Sequence, residues 1–367
     1  MNEEFLNRKL QQRKESSAFR ELRQKQGAVD FCSNDYLGIV TGNRINIEHT
    51  NGQEKLYGST GSRLISGNYP LIEETEKMLA EFHDAPAALI FNSGYDANIG
   101  LLGCIPQRND TVLYDQLSHA SIRDGIRLSH AFAFSFEHND TDDLERLLQL
   151  ATGNVFVVTE SVFSMDGDVA PLDEIAELCS SYNAMLIVDE AHATGVIGKR
   201  GEGLTQHLGL QNNCFARVHT FGKALGCHGA AVVGSTSLKN FLINFSRPFI
   251  YTTGMPASAV QAIKQSYSIF PEMEGERAHL FHLVKRFRDN TVTLRLCKSV
   301  TPIQGVIIPG NDEVKSAAHL LQERNLDVRP ILYPTVARGR ERLRIVLHSF
   351  NTEAEIDQLI AVLESRK

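Results

Sequence analysis

Thr220-Phe221-Gly222-Lys223-Ala224-Leu225-Gly226 sets a lysine between glycines just after the apolar run 218–221. One element earlier, Met185-Leu186-Ile187-Val188-Asp189-Glu190-Ala191-His192 ends a similar run on an aspartate. Further short β-rich runs stand at 87–91, 111–114, 155–159 and 230–234, with helix-like stretches between them. Residues 70–82, with Leu71, Ile72, Met78, Leu79 and Phe82 at helical spacing, open the series. Short apolar strands alternating with helices predict an α/β fold whose mostly parallel sheet is covered on both faces.

Open α/β sheets bind ligands beyond the carboxyl ends of their strands. The run ending at 91 leads into Asn92-Ser93-Gly94-Tyr95, and the run ending at 114 into Asp115 and His119. The run ending at 159 leads into Glu160 and Ser164, the next into Asp189 and His192, and the last into Lys223. Each has a plainer reading alone. Asp189 and Ser93 suit helix caps, His119 and His192 suit structural histidines, and Lys223 suits a surface turn. Five successive strand ends carrying polar groups to one edge point instead to a site. A lysine that forms an imine with an aldehyde, paired with a buried carboxylate that keeps a pyridine nitrogen protonated, suggests pyridoxal 5'-phosphate (PLP). Ser93-Gly94 at a helix start suits its phosphate.

The chain has 367 residues, 42% of them apolar, enough for a large domain and a smaller one. The expected division is an N-terminal segment 1–40, a PLP-binding domain 41–257 and a small α+β domain 258–367. Within the last, residues 257–295 read as long helix, 306–308 and 343–347 as strands, and 312–324 and 356–363 as helices. Residues 1–25, with Leu6, Leu10, Phe19 and Leu22, read as a helix that docks on a partner subunit. Residues 31–38 read as a strand running into a turn.

No run of eighteen apolar residues is present, so no membrane span is expected. The acidic start without an apolar signal region predicts a cytoplasmic protein. A net charge of −7 with both signs interspersed argues against nucleic acid. The six cysteines form no Cys-x-x-Cys pair, so neither a zinc site nor a disulfide framework is expected, and no metal is assigned. Gly58-Ser59-Thr60-Gly61-Ser62 lacks the P-loop lysine pattern.

The ordered set resembles the α-oxoamine synthases, fold-type-I PLP enzymes that join an amino acid to an acyl thioester with loss of carbon dioxide. Ser33-Asn34-Asp35-Tyr36-Leu37-Gly38, Gly58 to Arg63, Ser93-Gly94-Tyr95 and Leu117-Ser118-His119-Ala120-Ser121 carry the likeness. So do Thr159 to Asp168, Asp189 to Gly195, the lysine segment, Tyr251-Thr252-Thr253-Gly254-Met255-Pro256, Pro334-Thr335-Val336 and Arg342-Leu343-Arg344. The resemblance implies that Lys223 carries PLP covalently and later acts as base, while Asp189 pairs with the ring nitrogen. It implies that His119 stacks on the ring and that His192 and Ser164 reach its hydroxyl. The phosphate falls to Ser93, Gly94, Tyr95 and Thr220, with Thr252 or Thr253 arriving from the second subunit of a homodimer. Arg344 takes the amino-acid carboxylate, and Arg20, Asn34 and Thr335 line the substrate side.

Pro334-Thr335-Val336 and Gly229-Ala230-Ala231 favour members that condense L-alanine with a pimeloyl thioester, on coenzyme A or acyl-carrier protein, in biotin biosynthesis. Cys227-His228, Arg63 and a short segment between Gly38 and Gly58 depart from the pattern on substrate-side loops. Rival readings are a member using glycine or serine with another acyl-CoA, an aldolase or aminotransferase on the same fold, and a PLP-binding regulatory subunit without turnover.

Overall fold

The six apolar runs read between residues 87 and 234 are strands of one sheet. A computed structural model describes residues 3–22, 28–47, 57–291 and 293–365. The first strand, β1 (Val29–Asp30), is short. β2 (Ala87–Phe91), β3 (Thr111–Asp115), β4 (Phe132–Phe136), β5 (Val155–Glu160), β6 (Met185–Asp189), β7 (Cys214–Thr220) and β8 (Ala230–Gly234) make a seven-stranded sheet in the order β2-β8-β7-β6-β5-β3-β4. β9 (Ile303–Ile307), β10 (Leu326–Asp327), β11 (Arg329–Ile331) and β12 (Arg342–Val346) complete the set.

Two compact units contain these strands. The larger comprises Leu37–Phe163 and Val169–Gly275, and the smaller comprises Met1–Tyr36, Ser164–Asp168 and Glu276–Lys367. In the larger unit β3 to β7 pair in parallel, and β8 runs antiparallel between β2 and β7. The C-terminal ends of β2, β3, β5, β6 and β7 therefore share one edge, as the sequence predicts. Alternate residues such as Leu89, Phe156, Val158, Ile187 and Val218 pack under the helices Gly94–Leu102, Ala120–Ser129 and Thr236–Phe245. The intervening Val157, Leu186, Val188 and Val233 are buried as well, which explains why these strands read as continuous apolar runs.

β4 has no counterpart among the expected strands. It is the sheet's edge, and four of its five residues are exposed, so it lacks a continuous apolar run. Its Phe132, Phe134 and Phe136 alternate at the strand period, which is the signal that marks it.

The smaller unit carries the antiparallel sheet β11-β12-β9 and the pair β1-β10, with the helices Asn311–Glu323 and Glu353–Glu364. Residues 31–38 do not extend β1. The Asp30 carboxylate accepts from the N–H groups of Cys32 and Ser33, both at 2.9 Å, and turns the chain. The long helix expected over 257–295 is two helices, Ala257–Ile269 and Glu274–Asp289, parted by a 3-10 turn at Phe270–Glu272. Pro271 lacks the N–H that a continuous helix needs.

The helix Ala257–Ile269 groups with the larger unit rather than with residues after 258. Its Tyr267 ring meets Phe82 edge-on at 5.1 Å. Near the N-terminus, Glu4–Glu15 is helical with Leu6 and Leu10 exposed, and residues 23–25 of that expected helix lie outside the described residues. Among the described residues, no helix is long and apolar enough to cross a membrane.

Candidate active site

The lysine segment is a tight loop between β7 and β8. Phe221 N–H donates to Gly229 O (2.9 Å), Cys227 N–H to Phe221 O (2.8 Å) and Gly226 N–H to Lys223 O (2.9 Å). Gly226 at φ +62° and Gly229 at φ +103° supply the left-handed turns that close it. Gly222 has no such demand; a Cβ there would meet only Cys227 O, at 3.7 Å. From the helix Ala257–Ile269, Ser266 Oγ donates to Leu225 O at 2.8 Å and anchors the loop. Lys223 Nζ lies 2.8 Å from His192 Nε2, so two residues 31 apart in sequence meet at the sheet edge.

Asp189 ends β6, largely buried, and both carboxylate oxygens are held. Oδ1 accepts from Ala191 N–H at 2.9 Å, and Oδ2 from Asn98 Nδ2 at 2.7 Å. Asn98 lies on the helix Gly94–Leu102 and also donates to Ser121 Oγ at 3.0 Å. Ser121 reaches His119, with Oγ 2.7 Å from Nδ1 and its N–H donating to the same nitrogen at 3.2 Å. Burial pushes the His119 imidazole below its ordinary value; Asp189 opposes this and Lys223 adds to it.

Glu160 ends β5 opposite Asp189 in the sheet register. Its Oε1 accepts from His119 N–H at 2.6 Å. Burial, with the Asp189 charge behind it, lifts the Glu160 carboxyl to about 8, while Lys223 and the His119 N–H pull the other way. Folding therefore binds a proton on Glu160 between its ordinary 4.5 and about 8. That stabilisation is complete below 4.5 and is lost as pH rises through about 8. Glu160→Gln keeps the acceptor without the titration. Thermal unfolding of cofactor-free protein across this window should show wild-type Tm falling relative to the variant, and parallel curves would refute the assignment.

The end of β2 carries a candidate anion cradle. Ser93 caps the helix Gly94–Leu102: its Oγ accepts from Asp96 N–H at 3.0 Å and donates to Asp96 Oδ2 at 2.9 Å. The plainer capping reading thus describes the Ser93 side chain. The backbone N–H groups of Gly94 and Tyr95 belong to the first turn, which has no intrahelical acceptors and favours an anion. A Cβ on Gly94 would come 2.5 Å from Thr220 Cγ2, so glycine alone leaves this cradle open. The Thr220 hydroxyl itself faces Ala191 O at 3.5 Å. Thr252 Oγ1 and Thr253 O accept from Asn92 Nδ2 at 3.2 and 2.9 Å within the same chain. These features fit PLP: an open anion cradle, an oriented buried carboxylate and a lysine, all at one sheet edge.

Asp115 does not join this group. Its carboxylate takes Leu117 N–H (2.8 Å), Asn139 N–H (2.9 Å) and His138 Nδ1 (2.9 Å), which fixes neighbouring loops. Tyr95 turns its hydroxyl onto Asp124.

The remaining expected residues belong to the smaller unit. Arg344, on β12, donates from Nε to Ser164 O (2.6 Å) and from Nη2 to Asn34 Oδ1 (3.0 Å). Tyr36 Oη also donates to Asn34 Oδ1, at 3.3 Å. Arg20 Nη2 donates to Thr335 Oγ1 at 3.2 Å. Arg344, Asn34 and Ser164 thus form one group, and Arg20 with Thr335 a second. The sequence assigned Asn98 no role, Ser121 only a place in a motif, and Glu160 a place at a strand end without a named task. Asn98, the polar residue within the run Ala97-Asn98-Ile99-Gly100-Leu101-Leu102, is the available signal, since a buried amide needs partners.

Comparison with known proteins places this arrangement. The aminotransferase class I and II family matches residues 26–363. An 8-amino-7-oxononanoate synthase from Emericella nidulans is 40% identical, over 92% of this chain and 88% of its own. The solved 8-amino-7-oxononanoate synthase from Francisella tularensis is 28% identical, with TM-score 0.79 over 93% of this chain and 98% of that one. A structure of SPT with a PLP internal aldimine is 25% identical, with TM-score 0.88 over 98% of this chain and 96% of that one. The chain therefore belongs to the PLP-dependent aminotransferase class I and II family, within its α-oxoamine synthases.

Proposed function

We propose that this chain condenses L-alanine with a pimeloyl thioester, with loss of carbon dioxide, to give 8-amino-7-oxononanoate for biotin synthesis. The observation that carries this reading is Lys223 Nζ, 2.8 Å from His192 Nε2, at the same sheet edge as the doubly held Asp189. Relatives of that name at 40% and 36% identity support the choice of reaction.

Bound PLP supplies the electron sink for negative charge at the amino-acid α-carbon. Lys223 Nζ holds the cofactor, and once released it takes the α-proton. His192 Nε2 orients that amine. Asp189 would set its negative charge toward the ring nitrogen, and His119 would cover the ring face. The N–H groups of Gly94 and Tyr95 would hold the phosphate with the Thr220 hydroxyl, Ser93 fixing the turn through its cap, joined by Thr252 or Thr253 of a second copy in a homodimer. Arg344 pairs its planar fork with the alanine carboxylate, Arg20, Asn34 and Thr335 complete the substrate side, and Ser164 with His192 would reach the ring hydroxyl.

The alanine α-carbon then bonds to the thioester carbonyl carbon, and the carbon–sulfur bond breaks to release the thiolate, which takes a proton from water. The original carboxyl leaves as carbon dioxide, its electron pair passing toward the new ketone, and Lys223 Nζ returns a proton to the α-carbon. Six free cysteines support a reducing, cytoplasmic setting.

Mixing the PLP-loaded protein with pimeloyl-CoA and L-alanine should release free thiol and carbon dioxide in equal amounts. Glycine and serine should give much less. A preference for either points to another family member, and transamination without thiol release overturns the reading. In the same assay Arg344→Ala should raise the alanine KM roughly tenfold to hundredfold, as expected for a lost charge-assisted hydrogen bond. An unchanged KM moves the carboxylate site elsewhere.

A further inference from the structure

We infer that Asn98 is a positioning residue that holds Asp189 and His119 together, one amide group orienting the carboxylate and, through Ser121, fixing the tautomer of the histidine. The direction of each hydrogen bond follows from its neighbours. The Asp189 carboxylate can only accept, so the atom 2.7 Å from Oδ2 is the Asn98 nitrogen. The same NH2 group reaches Ser121 Oγ at 3.0 Å and donates there as well. The Ser121 hydroxyl keeps its own proton while it accepts from Asn98, and its Oγ lies 2.7 Å from His119 Nδ1, the nitrogen whose role the backbone decides. The Ser121 backbone N–H, which can only donate, points at the same Nδ1 from 3.2 Å. Two donors on Nδ1 leave the ring proton on Nε2.

Packing fixes this arrangement. Asn98 and Ser121 lie on the adjacent helices Gly94–Leu102 and Ala120–Ser129, and both are buried. These helices approach closely at Gly125, where a Cβ would meet Asn98 O at 2.8 Å and Ile99 Cα at 3.2 Å. His119 is also held from the other side, by Glu160 through its backbone N–H. A larger residue at 125 or a shorter side chain at 98 separates the two groups. The consequence for the cofactor rests on the function proposed above: with PLP bound, Asn98 sets the geometry of the group at the ring nitrogen and of the group at the ring face, without touching either reactant.

The test uses two variants and a readout that needs no cofactor. Protein labelled with 15N-histidine, without PLP, is observed in a long-range 1H–15N spectrum, with the His119 signals identified from His119→Gln. Wild type should show one His119 form, protonated on Nε2. Asn98→Ala should give a mixture of tautomers and weaken PLP binding by roughly tenfold to hundredfold, the range for a lost hydrogen bond to a charged group. Ser121→Ala removes one oxygen and spares Asp189. It should disturb the His119 signals and weaken PLP binding less than Asn98→Ala does.

A wild-type His119 protonated on Nδ1 overturns the inference, as does an Asn98→Ala protein with both the wild-type tautomer and wild-type PLP affinity. Should Asn98→Ala fail to fold, the Ser121→Ala spectrum decides alone, and an undisturbed His119 there overturns the tautomer link. If wild type binds no PLP, the function fails, while the spectra still judge the hydrogen-bond network.

Discussion

Lys223→Ala should abolish turnover and leave a colourless protein that loses PLP on dialysis. The lysine has two tasks in the proposed reaction, covalent attachment and transfer of the α-proton, and no neighbour can replace both. His192 Nε2 is 2.8 Å from Nζ and could accept a proton, yet an imidazole cannot hold the aldehyde through a stable imine. Loss of a positioned base alone costs about a hundredfold to ten-thousandfold, and loss of attachment adds to it. The scaffold should survive. Lys223 is only partly buried, and the loop around it is closed by backbone hydrogen bonds of Phe221, Gly226 and Cys227 and by Ser266, none of which uses the lysine side chain. Absorbance of the purified protein and thiol release with pimeloyl-CoA check this directly. A yellow variant with normal turnover would sink the assignment.

Asp189→Asn ranks second in expected effect. In the proposed reaction the substitution keeps the shape and removes the charge that would hold the pyridine nitrogen in its protonated form, so the ring would lose its power to take up electrons. Removing a preorganised electrostatic partner of this kind lowers kcat by about a hundredfold to a thousandfold. The local hydrogen bonds add a second penalty. Both oxygens of Asp189 accept, one from Ala191 N–H and one from Asn98 Nδ2. Whichever way the new amide turns, its NH2 faces a donor, and a buried unsatisfied group costs about 1–3 kcal/mol. The variant should bind PLP more weakly and give almost none of the long-wavelength absorbance that accompanies α-proton loss on adding L-alanine. Stopped-flow absorbance with L-alanine alone is the measurement, and a wild-type amplitude would remove Asp189 from the mechanism.

The two substitutions differ in what they leave behind. Lys223→Ala empties a position on a loop whose path is set elsewhere. Asp189→Asn disturbs the buried set Asp189, Asn98, Ser121 and His119, so its effect reaches the ring face as well as the ring nitrogen. An additional loss of the wild-type His119 tautomer in Asp189→Asn would follow from the same network.

Local chemistry in the sequence was enough to determine the α/β class, most strands of the large sheet, the helix Pro70–Phe82 and the strand ends where Lys223, Asp189, His119 and Ser93 stand. Apolar period and glycine or proline punctuation act over a few residues and can be read along the chain. Partner choice is another matter. Asn98 and Asp189 are 91 residues apart, and Arg344 and Asn34 are 310 apart. Their contacts depend on strand register and on how closely helices approach, as at Gly125. The antiparallel β8, the exposed edge strand β4 and the break at Pro271 likewise depend on neighbours that the local pattern does not name. The residue types that carry the chemistry are a property of the sequence. The hydrogen bonds that orient Asp189 and protonate His119 on Nε2 exist only once distant donors and acceptors are buried together, where each must find a partner.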